Sequence, residues 1–197
     1  MDIPETGMEK RKRTICVFCG SSSGSDPRFA QSARLLGQLI ARHGFSLVFG
    51  GGGLGLMGEV ARAARDGGAA VTGILPEFLR HLEPPLAHGE QVVIVPDLFV
   101  RKHRMVAMAN AFVLLPGGMG TLDEFFEVVT SAQLAVHAKP VVLVNVAGYY
   151  DPLLALLKHT IAMGFARAEN ANLYSIANSA EEAMDIVIAA LHLPQAP

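Results

Sequence analysis

A chain of 197 residues, 51% hydrophobic and only 17% charged, is long and apolar enough for one substantial core, which excludes a disordered chain. A net charge of −2 supplies no general field for nucleic acid. No apolar run approaches the ~20 residues that span a bilayer, and no signal-type apolar region opens the chain, so a cytoplasmic protein without membrane attachment is expected.

Residues 1–13 read as a flexible tail ending in the basic run Glu9-Lys-Arg-Lys-Arg13, and residues 14–197 as one domain. Apolar runs alternate with amphipathic stretches from there on. Strands are expected at 14–20, 46–51, 69–76, 91–96, 111–116 and 140–145, with a weaker one at 174–177. These runs are rich in Val, Ile and Leu without polar alternation, the pattern of strands buried on both faces. Helices are expected at 27–43, 55–67, 97–110, 121–137, 151–163 and 179–191. Asp26-Pro27 and Asp151-Pro152 each place an N-cap residue before a proline. Strand–helix alternation at this spacing predicts an α/β fold, a doubly wound Rossmann-like parallel sheet of six or seven strands. The segment 77–90 is the least regular and is a candidate active-site flap.

Cys16 and Cys19 spell C-x-x-C, but within a strand residues three apart point to opposite faces, and no second pair completes a zinc site. Two buried reduced thiols and no metal are expected. In a doubly wound sheet ligands bind beyond the carboxyl ends of the strands, and two glycine-rich turns fall there. The first, FGGGGLGLMGE, contains Gly53-x-Gly55-x-x-Gly58, the dinucleotide spacing. Its ribose carboxylate is missing, because Glu77 follows Pro76 past the strand end, so a tight turn bringing backbones together is the better reading and no cofactor is expected.

The second turn is PGGMGTLDE, Pro116 to Glu124. Gly117, Gly118 and Gly120 can take positive φ, and Thr121 is placed to cap the following helix. Free N–H groups and the helix dipole at that point favour a phosphate. No G-K-[ST] follows, so this is not a nucleoside-triphosphate loop. Thr121-x-x-Glu124 also has the form of a capping box, which leaves Glu124 readable as cap or catalyst. Upstream, Arg101 and Met105 share a helix face, while Lys102 points to another side.

Together these stretches resemble the LOG (Lonely Guy) family, cytokinin-activating phosphoribohydrolases often labelled lysine decarboxylase-like. The resemblance rests on VFCGSSSG (17–24), LVFGGGGLGLMG (47–58), GILPEFL (73–79), the RKxxM of Arg101 to Met105, PGGMGTLDE, and residues 129–154. It implies hydrolysis of the N-glycosidic bond of adenosine-type 5′-monophosphates to free base and ribose 5-phosphate, in a homodimer joined near the 97–110 and 121–137 helices. It implies Arg101 and Glu124 as the catalytic pair. Substrate contacts are implied for Gly117, Gly118, Met119, Gly120, Thr121 and Asp123, with Lys102, Thr130 and Glu83 in the flap. The sequence departs from the family pattern at Phe99-Val100 (usually His-Gln or His-Glu), Met119 (Tyr), Asp123 (Glu) and Ser131 (Trp).

Two rival readings share the glycine turns. A non-catalytic nucleotide or molybdenum-cofactor carrier would not need the Arg101–Glu124 pair. A lysine decarboxylase would need a lysine that reaches a pyridoxal aldehyde, for which Lys102 and Lys139 are the main candidates.

Overall fold

The computed structural model describes residues 13–81 and 91–192. The proposed tail, apart from Arg13, and Glu83 with most of the 77–90 segment lie outside the described residues. The described start of that segment is a one-turn helix, Glu77–Leu79.

Seven parallel strands form one sheet: β1 (Thr14–Phe18), β2 (Ser46–Phe49), β3 (Val71–Pro76), β4 (Gln91–Val95), β5 (Ala111–Leu114), β6 (Val141–Val144) and β7 (Ser175–Ala177). Helices α1 (Pro27–Arg42), α2 (Gly55–Asp66), α3 (Leu98–Met108), α4 (Met119–Gln133), α5 (Asp151–Ala162) and α6 (Ala180–His192) connect and flank them. The strand order is β4-β3-β2-β1-β5-β6-β7, with Val17 beside Phe49 of β2 on one side and beside Val113 of β5 on the other. The chain therefore winds outward from β1 to β4, returns to β5, and winds outward the other way. The reversal lies between β1 and β5, where loops diverge to opposite faces and leave a crevice.

Each face of the sheet carries its own apolar layer. Ile15, Val17 and Cys19 meet α1, α2 and α6, while Cys16 and Phe18 meet α3 and α4, with α5 leucines packed at the margin. The two thiols are free, buried and on opposite faces, as the strand period requires. Burial holds both thiols well above their ordinary pKa, in the unreactive form.

Asp26 caps α1 as expected, accepting from the Arg28 N–H at 2.9 Å. Asp151 is instead the first helical residue of α5, one position beyond the N-cap, and accepts from Asn145 Nδ2 at 2.7 Å. Helix α1 lies tightly on α2 because Gly37 has no side chain. A Cβ there would overlap the Val60 carbonyl oxygen and sit 2.8 Å from Ala63 Cβ and Ala64 N. Gly37→Ala gains about 1 kcal/mol of helix propensity but must separate two backbones. We expect a net loss of about 1–3 kcal/mol, read as a lower urea midpoint.

Candidate active site

The site is built at the β1/β5 crevice by two glycine turns that do different work. In the first, the α2 N-terminus is already occupied, because the Gly20 carbonyl accepts from Leu56 N at 3.0 Å and Met57 N at 3.3 Å. Gly55 has φ +56°, and a Cβ on it would overlap the Ser21 carbonyl. The dinucleotide-like spacing thus serves close backbone contact, as its missing carboxylate suggested.

The second turn is open. Helix α4 starts at Met119, with Gly118 as its N-cap and no side-chain cap. Thr121 is therefore not the cap. It is the third helical residue, buried, with its hydroxyl packed where Gly117 lacks a Cβ. Glycine can serve as an N-cap, so the cap lies three residues earlier than the threonine suggested. Glu124 becomes the sixth helical residue, too far inside to close a capping box.

None of Gly117, Gly118 and Gly120 adopts positive φ, contrary to the expectation from sequence. Gly117 is required by packing, since a Cβ there would collide with Thr121 and lie 2.8 Å from Gly20 N. A Cβ on Gly118 or Gly120 would meet nothing within 4 Å among the described residues. Exposed glycines without backbone strain, at a helix start with free N–H groups, leave room for an anion to approach the backbone.

Arg101 arrives from the other half of the sheet. Asp97 caps α3 by accepting from Val100 N at 2.8 Å, and the helix crosses β3, β2 and β1 on its way back to β5. Met105 is buried under the sheet, and Arg101, one turn earlier on that face, turns its guanidinium toward α4. Nη2 stands 4.0 Å from Glu124 Oε1, with the two side chains 12% and 9% exposed. Arg101 Nε is buried without a hydrogen-bond partner among the described residues. A buried donor left unmade is costly, and here that cost falls on the guanidinium that faces Glu124.

Burial raises the Glu124 carboxyl from 4.5 to about 7, against the opposing pull of Arg101, with Asp123 pushing further up. Lys102 turns away from Arg101 and pairs with Asp123 at 2.9 Å and Glu127 at 2.6 Å. It straps α3 to α4 on either side of Glu124, so Lys102 and Asp123 are joined to each other beside the pair. Met119 projects into solvent at 85% exposure beside the bare glycines. Thr130 is exposed six residues past Glu124, about 9 Å up the helix axis and apart from the other candidates.

Residues given no site role from the sequence complete the crevice. Ser21, Ser22, Ser23 and Gly24 follow β1 and, with Phe29, Gly117, Gly118 and Tyr149, line a cavity of about 270 Å³. The Tyr149 hydroxyl donates to the Gly117 carbonyl, and its ring meets Phe29 edge-on. The run G-S-S-S-G directly after the first strand was the available signal.

Comparison with known proteins is consistent with this geometry. The family model described as "Possible lysine decarboxylase" matches residues 57–187. A cytokinin riboside 5′-monophosphate phosphoribohydrolase of Arabidopsis thaliana is 45% identical over 166 residues, spanning 84% of this chain and 77% of its own. Another, of Oryza sativa subsp. japonica, is 43% identical over 178 residues, spanning 90% and 72%. The chain belongs to this family. Its fold also matches the molybdenum cofactor binding protein of Rippkaea orientalis (TM-score 0.71, 24% identity, 92% of this chain and 99% of that one). The Moco carrier protein of Chlamydomonas reinhardtii is similar (TM-score 0.69, 25% identity, 92% and 98%). The two lysines that a decarboxylase reading named are both engaged: Lys102 is held by two carboxylates, and Lys139 Nζ donates to the Val106 carbonyl at 2.8 Å.

Proposed function

We propose that the protein hydrolyses the N-glycosidic bond of adenosine-type 5′-monophosphates, cytokinin riboside monophosphates among them, releasing free base and ribose 5-phosphate. The observation that carries this reading is a buried Arg101–Glu124 pair set one turn behind a bare, anion-ready helix start. The 5′-phosphate docks on the N–H groups at Gly118, Met119 and Gly120, with the Ser21–Gly24 loop closing the crevice. The ribose then lies along the first turn of α4, and Glu124 meets C1′.

Breaking C1′–N9 builds positive charge on the ribose ring. The Glu124 carboxylate stabilises that charge and takes a proton from the attacking water, whose oxygen bonds to C1′. The base leaves with the bond's electron pair and is protonated. Arg101 offers its donor fork to a ribose hydroxyl or the phosphate and offsets repulsion between carboxylate and phosphate. In this reading Lys102 and Asp123 frame the pair, and Thr121 supports the loop from beneath.

The active form is a homodimer. Leu98, Phe99 and Phe126 are exposed apolar residues on α3 and α4, Phe99 at 80%, and closed two-fold pairing would cover them. We place the enzyme in the cytoplasm; among the described residues no helix is long and apolar enough to cross a membrane.

Incubation with AMP and isopentenyladenosine monophosphate tests the activity, with free base resolved by chromatography. Stoichiometric base and ribose 5-phosphate are expected. A carrier would bind nucleotide or cofactor and return it unchanged, and that result would overturn the reading.

A further inference from the structure

Gly50 directly follows β2 and is buried, and no positive φ accounts for it. Its φ lies outside the left-handed region that favours glycine. The space its side chain would fill is taken by the active site. A Cβ on Gly50 would overlap Nη2 of Arg101 and stand 3.0 Å from Arg101 Cζ and from Met57 Sδ. That Nη2 is the nitrogen 4.0 Å from Glu124 Oε1.

We propose that Gly50 is a positioning residue for the reaction: its bareness is the seat of the Arg101 guanidinium, and it sets where Nη2 stands relative to Glu124. The inference rests on the hydrolase reading for Arg101. Two neighbouring glycines have a different job. Gly51 has φ +83° and Gly55 φ +56°, so both are required by the backbone itself. Gly50 is required by side chains instead, chiefly by Arg101, which arrives from a helix about fifty residues later in sequence, with Met57 Sδ at the margin.

The chemistry of a methyl group at this position follows from what it would strike. The obstructing atoms are the end of a flexible side chain, and the backbone conformation accepts alanine, so the fold yields by moving the guanidinium. Displacing a catalytic donor by an ångström costs about 100-fold in rate. Other charged or titratable groups facing Glu124 are Lys102 from α3, Asp123 and Glu127 from α4, Cys16 and Cys19 at β1, and Tyr150 beyond β6. The atoms nearest a Cβ on Gly50 belong to Arg101 and Met57, so the contribution to Glu124 that the variant changes is that of Arg101.

The test is Gly50→Ala in the full chain, with three readouts: thermal melting, base release from AMP, and the Glu124 carboxyl titration followed by ¹³C NMR. The expected result is a melting temperature close to that of the wild type, base release lowered about 100-fold, and a Glu124 midpoint displaced by about half a pH unit or more from its wild-type value. Wild-type turnover, an unmoved midpoint, or failure to fold would each overturn the proposal. The titration needs no substrate. If the wild type releases no base, the hydrolase reading fails, while the midpoint still reports whether Gly50 seats Arg101.

Discussion

Arg101→Ala and Glu124→Ala are each expected to lower base release from AMP by about a thousandfold or more, with circular dichroism unchanged. Glu124 supplies the only carboxylate among the described residues that is buried beside the open glycine turn, and no neighbour can substitute for it. Asp123 and Glu127 flank it in sequence but are tied to Lys102. Glu124→Gln is the sharper variant, since it keeps shape and hydrogen bonding and removes only the charge. Because the pair acts as a unit, the double variant should be little slower than either single one. The reaction needs Glu124 ionised in the free enzyme, so kcat/KM should rise with pH through about 7. Near wild-type turnover by either single variant, or a kcat/KM flat from pH 5 to 8, would remove Glu124 from the chemistry.

Much of this architecture could be read before folding. The strands announce themselves because a parallel sheet covered on both faces needs unbroken Val, Ile and Leu, and each expected strand is present with trimmed ends. The Arg101–Met105 face was legible from helical spacing alone, since Met105 must go under the sheet and Arg101 follows it. Helix α4 was less legible at both ends. Gly118 capped it three residues before Thr121, and Ala135, at φ 56°, turned the chain out before the expected end at 137. Features that depend on distant partners left no local trace. The Lys102 strap joins α3 to α4, the β1 loop meets Tyr149 only through the crevice, and Gly50 is explained by Arg101. Sequence periodicity reports which face a residue takes, but the identity of the atom opposite it belongs to the fold.

Glu124→Gln should also make the protein more stable while making it inactive, and the gain should depend on pH in a defined direction. The folded-state pKa is raised to about 7 from 4.5, chiefly by burial. Above pH 7 the carboxyl is ionised in both folded and unfolded chains, and the fold bears the full cost of a buried charge. As pH falls from 7 toward 4.5 the folded protein takes up the proton first, and the cost is relieved. Below 4.5 both states are protonated and no difference remains. The cost at pH 8 is roughly 3 kcal/mol, with the attraction of Arg101 already included in the shift. Glutamine mimics the protonated form, so the variant should melt about 6–12 °C higher at pH 8 and converge on the wild type near pH 4.5. Arg101→Ala has the opposite sign, because it leaves the carboxylate buried without its cation, and it should lower the melting temperature at pH 8. Calorimetric scans of the three proteins across that range decide the matter. A glutamine variant no more stable at pH 8 than the wild type would mean that Glu124 is solvated in solution, with its ionised form no longer strained by burial. If the scans diverge as described, the strain at Glu124 is the energetic signature of a site kept for chemistry at the expense of stability.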